Sequence, residues 1–150
     1  MTDALLSYVH FSAIFILFAF LTVEAMVLRN PLDASVIALI TRIDIWYVGA
    51  GILSLVSGSL RLIWGAKGAA FYAANPLFYV KLGVFVVLGI LSIRPTLQFM
   101  RWSKSIKADA TFKPPDAERA RARWLVMFEL HIAALLPLFA VLMARGISLT

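Results

Sequence analysis

Lys81 lies about one turn into an apolar run, Leu77 to Ile93, and His10 lies a similar distance into the apolar stretch that opens the chain. Ionisable side chains at membrane depth are costly, and they mark ion pathways, proton relays or ligand sites. A neutral imidazole is a metal ligand, and a buried amine either ligates or anchors an anion. A third cation, Arg61, stands three residues before Trp64 at the end of another apolar segment. Asp3, near the surface, is the one carboxylate in this layer, so a site built from His10, Lys81 and Arg61 wants an anionic ligand. The chain has no cysteine, which removes disulfides, thiolate metal sites and covalent haem attachment through C-x-x-C-H.

Whether these residues meet depends on the elements that carry them. With 62% hydrophobic and 15% charged residues in 150, the chain is too apolar for a soluble domain and reads as an integral membrane protein. Four segments can cross a hydrocarbon layer of ~30 Å: about 4–28, 43–64, 76–94 and 124–144. The expected fold is an all-α, four-helix membrane bundle forming one transmembrane domain over residues 1–150, with a basic cytoplasmic loop at 95–123. The opening segment lacks a charged n-region and an A-x-A site, so it reads as a retained span. Lys and Arg concentrate in the first and third connections, and the positive-inside rule then puts both termini on the periplasmic side. The net charge of +6 follows from that topology and points to no nucleic acid. Trp46, Trp64, Tyr72, Tyr79, Trp102 and Trp124 fall near span ends, as interfacial aromatics do.

In an up-down bundle the first and third spans run the same way. His10 and Lys81 then lie ~8 to 9 Å below one boundary, with Arg61 level or shallower. Glu24, fourteen residues after His10, shares its helix face about 21 Å deeper. Asp44 and Glu129 fall in the same deeper layer, where pairing with Arg42, Arg94 or Arg123 is the expectation. His131 should lie ~10 Å lower than His10, on a helix that Pro137 kinks. Ligation of one macrocycle by both histidines is geometrically open but strained. Asn30-Pro31 ends the first helix, and Asp33 can cap a short amphipathic piece leading into the second span. The connection from Gly65 to Pro76 is rich in small residues and can fold back as a lid. Lys113-Pro114-Pro115-Asp116 breaks the basic loop, with Asp116 as a cap. Gly49, Gly51, Gly58, Gly83 and Gly89, with Ser54 and Ser57, suit close helix approach or a cofactor between helices.

Tyr8-Val9-His10, Ile40-Thr41-Arg42-Ile43 and above all Asn75-Pro76-Leu77-Phe78-Tyr79-Val80-Lys81-Leu82 resemble the HemJ-type protoporphyrinogen oxidases, small bacterial four-helix membrane proteins associated with haem b. The resemblance implies His10 as the haem ligand and Lys81 as the second functional residue, in the bacterial inner membrane. The fourth span departs from the expected Asn-Glu-x-Pro, reading Phe128-Glu129-Leu130-His131. The chain is more similar to a group of uncharacterised bacterial membrane proteins sharing Lys67-Gly68-Ala69-Ala70-Phe71-Tyr72 and Met143-Ala144-Arg145-Gly146-Ile147. The expected function is a haem b-binding redox protein, either transferring electrons or oxidising a porphyrinogen. Its axial ligand is His10, its second ligand Lys81 or His131, and its propionate partner Arg61. Lipid, a quinone or a membrane redox protein are the expected partners, as a homodimer or a subunit of a larger complex. The alternative is a cofactor-free accessory subunit, assembly factor or small transporter component.

Overall fold

The computed structural model describes residues 1–147. It contains α1 (Thr2–Val27), α2 (Ala34–Trp64), α3 (Gly68–Ala73), α4 (Pro76–Ala108), α5 (Asp116–Ala133) and α6 (Leu135–Ala144). α1, α2, α4 and the α5–α6 pair are each long and apolar enough to cross a membrane. Helices satisfy their own backbone groups, which is why a chain this apolar takes this form in lipid. Large side chains such as Phe15, Tyr8, Trp46 and Ile63 lie on the outside, where a bilayer supplies their solvent.

Three expected boundaries move. The piece expected before 43 is continuous with the second helix, which starts at Ala34 with Asp33 as its cap, the carboxylate accepting from Val36 N–H at 2.9 Å. The Ser35 hydroxyl at 2.6 Å and that amide hold the Asp33 carboxyl below its usual range. The third helix does not end at 94 but continues through Pro95 to Ala108. An interior proline costs about 3 kcal/mol. The face that continues from Pro95 offsets this, since Phe99 and Trp102, four and seven residues on, are fully buried, and the Trp102 indole donates to Glu118 at 3.0 Å. The fourth span likewise starts at Asp116. The basic loop expected at 95–123 therefore shrinks to residues 109–115, with most of its cations on helices.

Pro137 interrupts the last span, but the break falls at Ala134. Proline has no N–H for the Ala133 carbonyl one turn earlier, and its ring crowds that oxygen, so the helix ends upstream of the proline itself. The consequence is architectural. α1 packs on α2 and α5, and α4 packs on α2 and α5, closing a ring; α6 packs only on α4 and α5. Among the described residues no Cα of α6 lies within 8 Å of α1 or α2. The bundle is thus closed around a core of Leu21, Ile37, Ile40, Phe99, Trp102 and Val126 at the basic end. It is open between α1 and α6 at the end that holds the termini.

The connection expected as a lid forms α3, which packs on α2 and α4 and touches neither α1 nor α6. Asp3 accepts from Ala66 N–H at 3.1 Å, and Asn75 donates from its amide to the Ile147 carbonyl at 3.2 Å, tying both ends of the chain to this connection.

Replacing Pro137 with Ala should restore a continuous fourth helix and bring α6 toward packing distance from α1, about 8–10 Å between axes. Spin labels on Tyr8→Cys and Leu138→Cys are site-specific in a cysteine-free chain, and their distance distribution should shorten in Pro137→Ala. An unchanged distribution would detach the opening from the proline.

Candidate functional site

His10 is buried in the α1–α2 seam. Its Nδ1 lies 3.0 Å from the Ser54 carbonyl and 3.1 Å from the Ser57 hydroxyl oxygen. A carbonyl only accepts, and the Ser57 hydroxyl already donates to the Leu53 carbonyl at 2.6 Å. Nδ1 therefore carries the proton and donates to both oxygens. The other ring nitrogen, Nε2, has no partner, yet it is not among the buried unpartnered atoms, which are Glu24 Oε1, Arg61 Nε, Arg123 Nε and Glu129 Oε1. An imidazole fixed through Nδ1–H with a free, reachable Nε2 is the arrangement in which the partner on one nitrogen orients the other toward a metal.

α2 makes this possible by spacing. Ser54, Ser57 and Gly58 fall at i, i+3 and i+4, so they present one face to α1. A Cβ on Gly58 would sit 3.1 Å from His10 Cε1, tighter than ordinary contact, so glycine leaves room for the ring to approach the Ser54 carbonyl a turn earlier. The sequence reading had placed these three residues in a group suited to close packing without assigning them to the histidine. Their spacing was the available signal.

Arg61 follows Gly58 by one turn on α2, the helix that holds the His10 ring, and Lys81 stands on α4, which packs on α2. Both cations are half-buried, neither forms an ion pair among the described residues, and the Arg61 guanidinium lies 5.4 Å from the centre of the Phe11 ring. His131 does not join them. Its side chain is exposed on α5 and its Nδ1 donates to the Met127 carbonyl of its own helix at 2.6 Å. Glu129 is fully buried, and a residue two positions later on a helix points about 200° away. Ligation of one macrocycle by His10 and His131 of the same chain is therefore corrected.

The deeper layer also departs from expectation. Glu24, Asp44 and Glu129 are buried to 1%, 3% and 0% exposure, and none pairs with Arg42, Arg94 or Arg123. Among the described residues the one ion pair is Arg119 with Asp116, at 2.7 Å. Arg42 and Arg94 turn to the outside of the bundle. The acids bond instead to neutral groups that the sequence reading had not assigned. The Tyr47 hydroxyl donates to Glu129 at 3.1 Å, and the Thr96 hydroxyl donates to Asp44 at 2.9 Å.

Substituting Gly58 by Ala should push the imidazole off the Ser54 carbonyl and destabilise the bundle by ~1–3 kcal/mol. Gly49→Ala is the matched control, since a Cβ there meets nothing within 4 Å, and it should be neutral or stabilising. Equal unfolding midpoints for the two variants would show that the ring is not seated as described.

Residues 2–148 match a family described as predicted membrane protein (DUF2214). No curated protein and no solved structure matches the chain. The match does not extend to the HemJ-type enzymes, so that likeness rests on short motifs alone. With nearly its whole length matched and four helices of membrane-spanning length and composition, the chain belongs to the predicted membrane protein family DUF2214.

Proposed function

We propose that this protein binds haem b in the half of the bundle that holds the termini and serves as a membrane redox protein. The observation that carries the reading is the His10 ring, whose Nδ1–H is committed to α2 while Nε2 is left free. One bound haem supplies one-electron chemistry at iron. Everything else falls to the chain's own residues. His10 Nε2 would be the nitrogen that holds the iron. Lys81 and Arg61 are two cations with no ion-pair partner among the described residues, and a haem carries two propionates, so the charges match in number and sign. Arg61 suits a carboxylate because its fork engages both oxygens. The opening between α1 and α6 gives a planar, mostly apolar group a way in from lipid without unfolding the bundle. A quinone or a membrane redox protein is the class of partner able to exchange electrons there. The distribution of Lys and Arg supports an inner-membrane location with periplasmic termini.

A second reading is a cofactor-free accessory subunit. A crevice of about 430 Å³ between α4 and α5 favours it, lined by Arg94, Arg101 and Arg121 against a single acid, Glu118, with Leu97 and Leu125. Such a surface suits anionic lipid or an acidic partner.

Haem titration into the purified protein decides between them. His10→Ala should abolish stoichiometric binding, while His131→Ala should leave it in place. Lys81→Arg should retain affinity because the charge persists, whereas Lys81→Met should weaken binding without changing the spin state of the iron. A new low-spin spectrum in Lys81→Met would make Lys81 a ligand rather than an anchor. Full haem stoichiometry in His10→Ala would contradict the reading.

A further inference from the structure

The buried acids form a second polar centre, separate from His10. α1 contributes Glu24, α2 Asp44 and Tyr47, α4 Thr96, and α5 Glu129, with Arg123 on α5 one and a half turns before Glu129 and half-buried. No Lys or Arg pairs with any of the three carboxyls. Two of their oxygens, Glu24 Oε1 and Glu129 Oε1, are sealed from solvent without a hydrogen-bond partner. An orphaned polar atom in a dry core costs about 1–3 kcal/mol, and three uncompensated negative charges together would cost far more. The counter-charge is not a chelated cation, because no three of the described His, Asp and Glu side chains converge closely enough to hold one. Protons are the remaining positive species small enough to enter, and a protonated carboxyl supplies the donor that the orphaned oxygens lack.

Access is one-sided. A crevice of about 360 Å³ between α2 and α4 carries Thr41, Asp44, Thr96, Ser103, Lys104 and Lys107 among the apolar Ile45, Val48 and Met100. Of the three acids Asp44 alone lines it, and it runs from there to Lys104 and Lys107 at the basic end. In the other direction Leu17, Leu21 and Ala50, all buried, separate the acids from His10. No polar side chain on the buried face of α1 bridges Leu21 to Ala13.

We propose that Glu24, Asp44 and Glu129 form an exchangeable proton-binding site in the membrane core, loaded from the basic end through the α2–α4 crevice. The site stands independently of haem. It stores protons on one side of the membrane and does not conduct them across.

Infrared spectroscopy of the cofactor-free protein in lipid vesicles at neutral pH tests this. The other five carboxyls, Asp3, Asp33, Asp109, Asp116 and Glu118, lie at helix ends or in connections and do not share the core. A carbonyl stretch of protonated carboxyl groups should be present and should shift on transfer to D2O. Glu24→Gln and Glu129→Gln should each remove part of it. Tyr47→Phe, which leaves every carboxyl in place, should shift only the component lost in Glu129→Gln. Ser103→Trp, which fills the crevice, should slow the deuterium shift several-fold. Helical circular dichroism identifies any variant that fails to fold. A spectrum with carboxylate bands alone, a band untouched by both Gln variants, or a band that never shifts in D2O would overturn the proton site. Unchanged exchange in Ser103→Trp would overturn the access route.

Discussion

The hydrogen bond from His10 Nδ1–H to the Ser54 carbonyl is the constraint around which the bundle is organised. In hydrocarbon an imidazole cannot borrow a partner from water, so leaving it unbonded forfeits the full cost of burying a polar group. The only acceptors within reach are on α2, and one of them is a carbonyl already inside a helix. The position one turn later leaves room to meet that oxygen, because Gly58 has no side chain. The register of α1 against α2 is fixed by this contact. Gly51 continues the seam, where a Cβ would stand at ordinary contact distance, 3.8 Å, from Leu17. Seven residues apart, Gly51 and Gly58 lie on one stripe of α2.

From that seam the molecule divides into two halves of opposite internal charge. At the basic end, arginines and lysines crowd the helix ends while the interior holds three carboxyls and no paired cation. At the end with the termini, surface charge is sparse while the interior holds Lys81 and Arg61 beside His10. The apolar layer of Leu17, Leu21 and Ala50 keeps the two apart. Pro137 adds a mechanical difference: the acidic half is ringed by four packed helices, whereas the cationic half is left open between α1 and α6. One half is therefore built to hold small charges tightly and the other to admit something larger.

Much of this was legible in the sequence, for a physical reason. Four spans of fixed rise per residue place His10, Lys81 and Arg61 at one depth, and the helical period places Glu24 below His10. What failed was anything that depended on competition between neighbours. The third span reads as ending near 94, but the burial of Phe99 and Trp102 carries the helix on past Pro95 despite the missing hydrogen bond. His131 reads as a candidate second ligand by depth alone, although its separation of two residues from the buried Glu129 puts it on the opposite, exposed face of α5. The pairing of Glu24, Asp44 and Glu129 with arginines followed from charge alone and neglected the helix faces, which turn Arg42 and Arg94 outward. Tyr47 and Thr96 gave no signal as partners, since a hydroxyl in an apolar span is as often bonded to its own helix.

The central claim is that His10 presents a ligand-ready nitrogen to a haem. The visible absorption spectrum of the wild-type protein, purified in mild detergent from cells and then reduced, tests it most directly. The account predicts a Soret band with a sharpened α band on reduction, at a stoichiometry near one haem per chain. A colourless protein that gains no such bands when haem is supplied would contradict it.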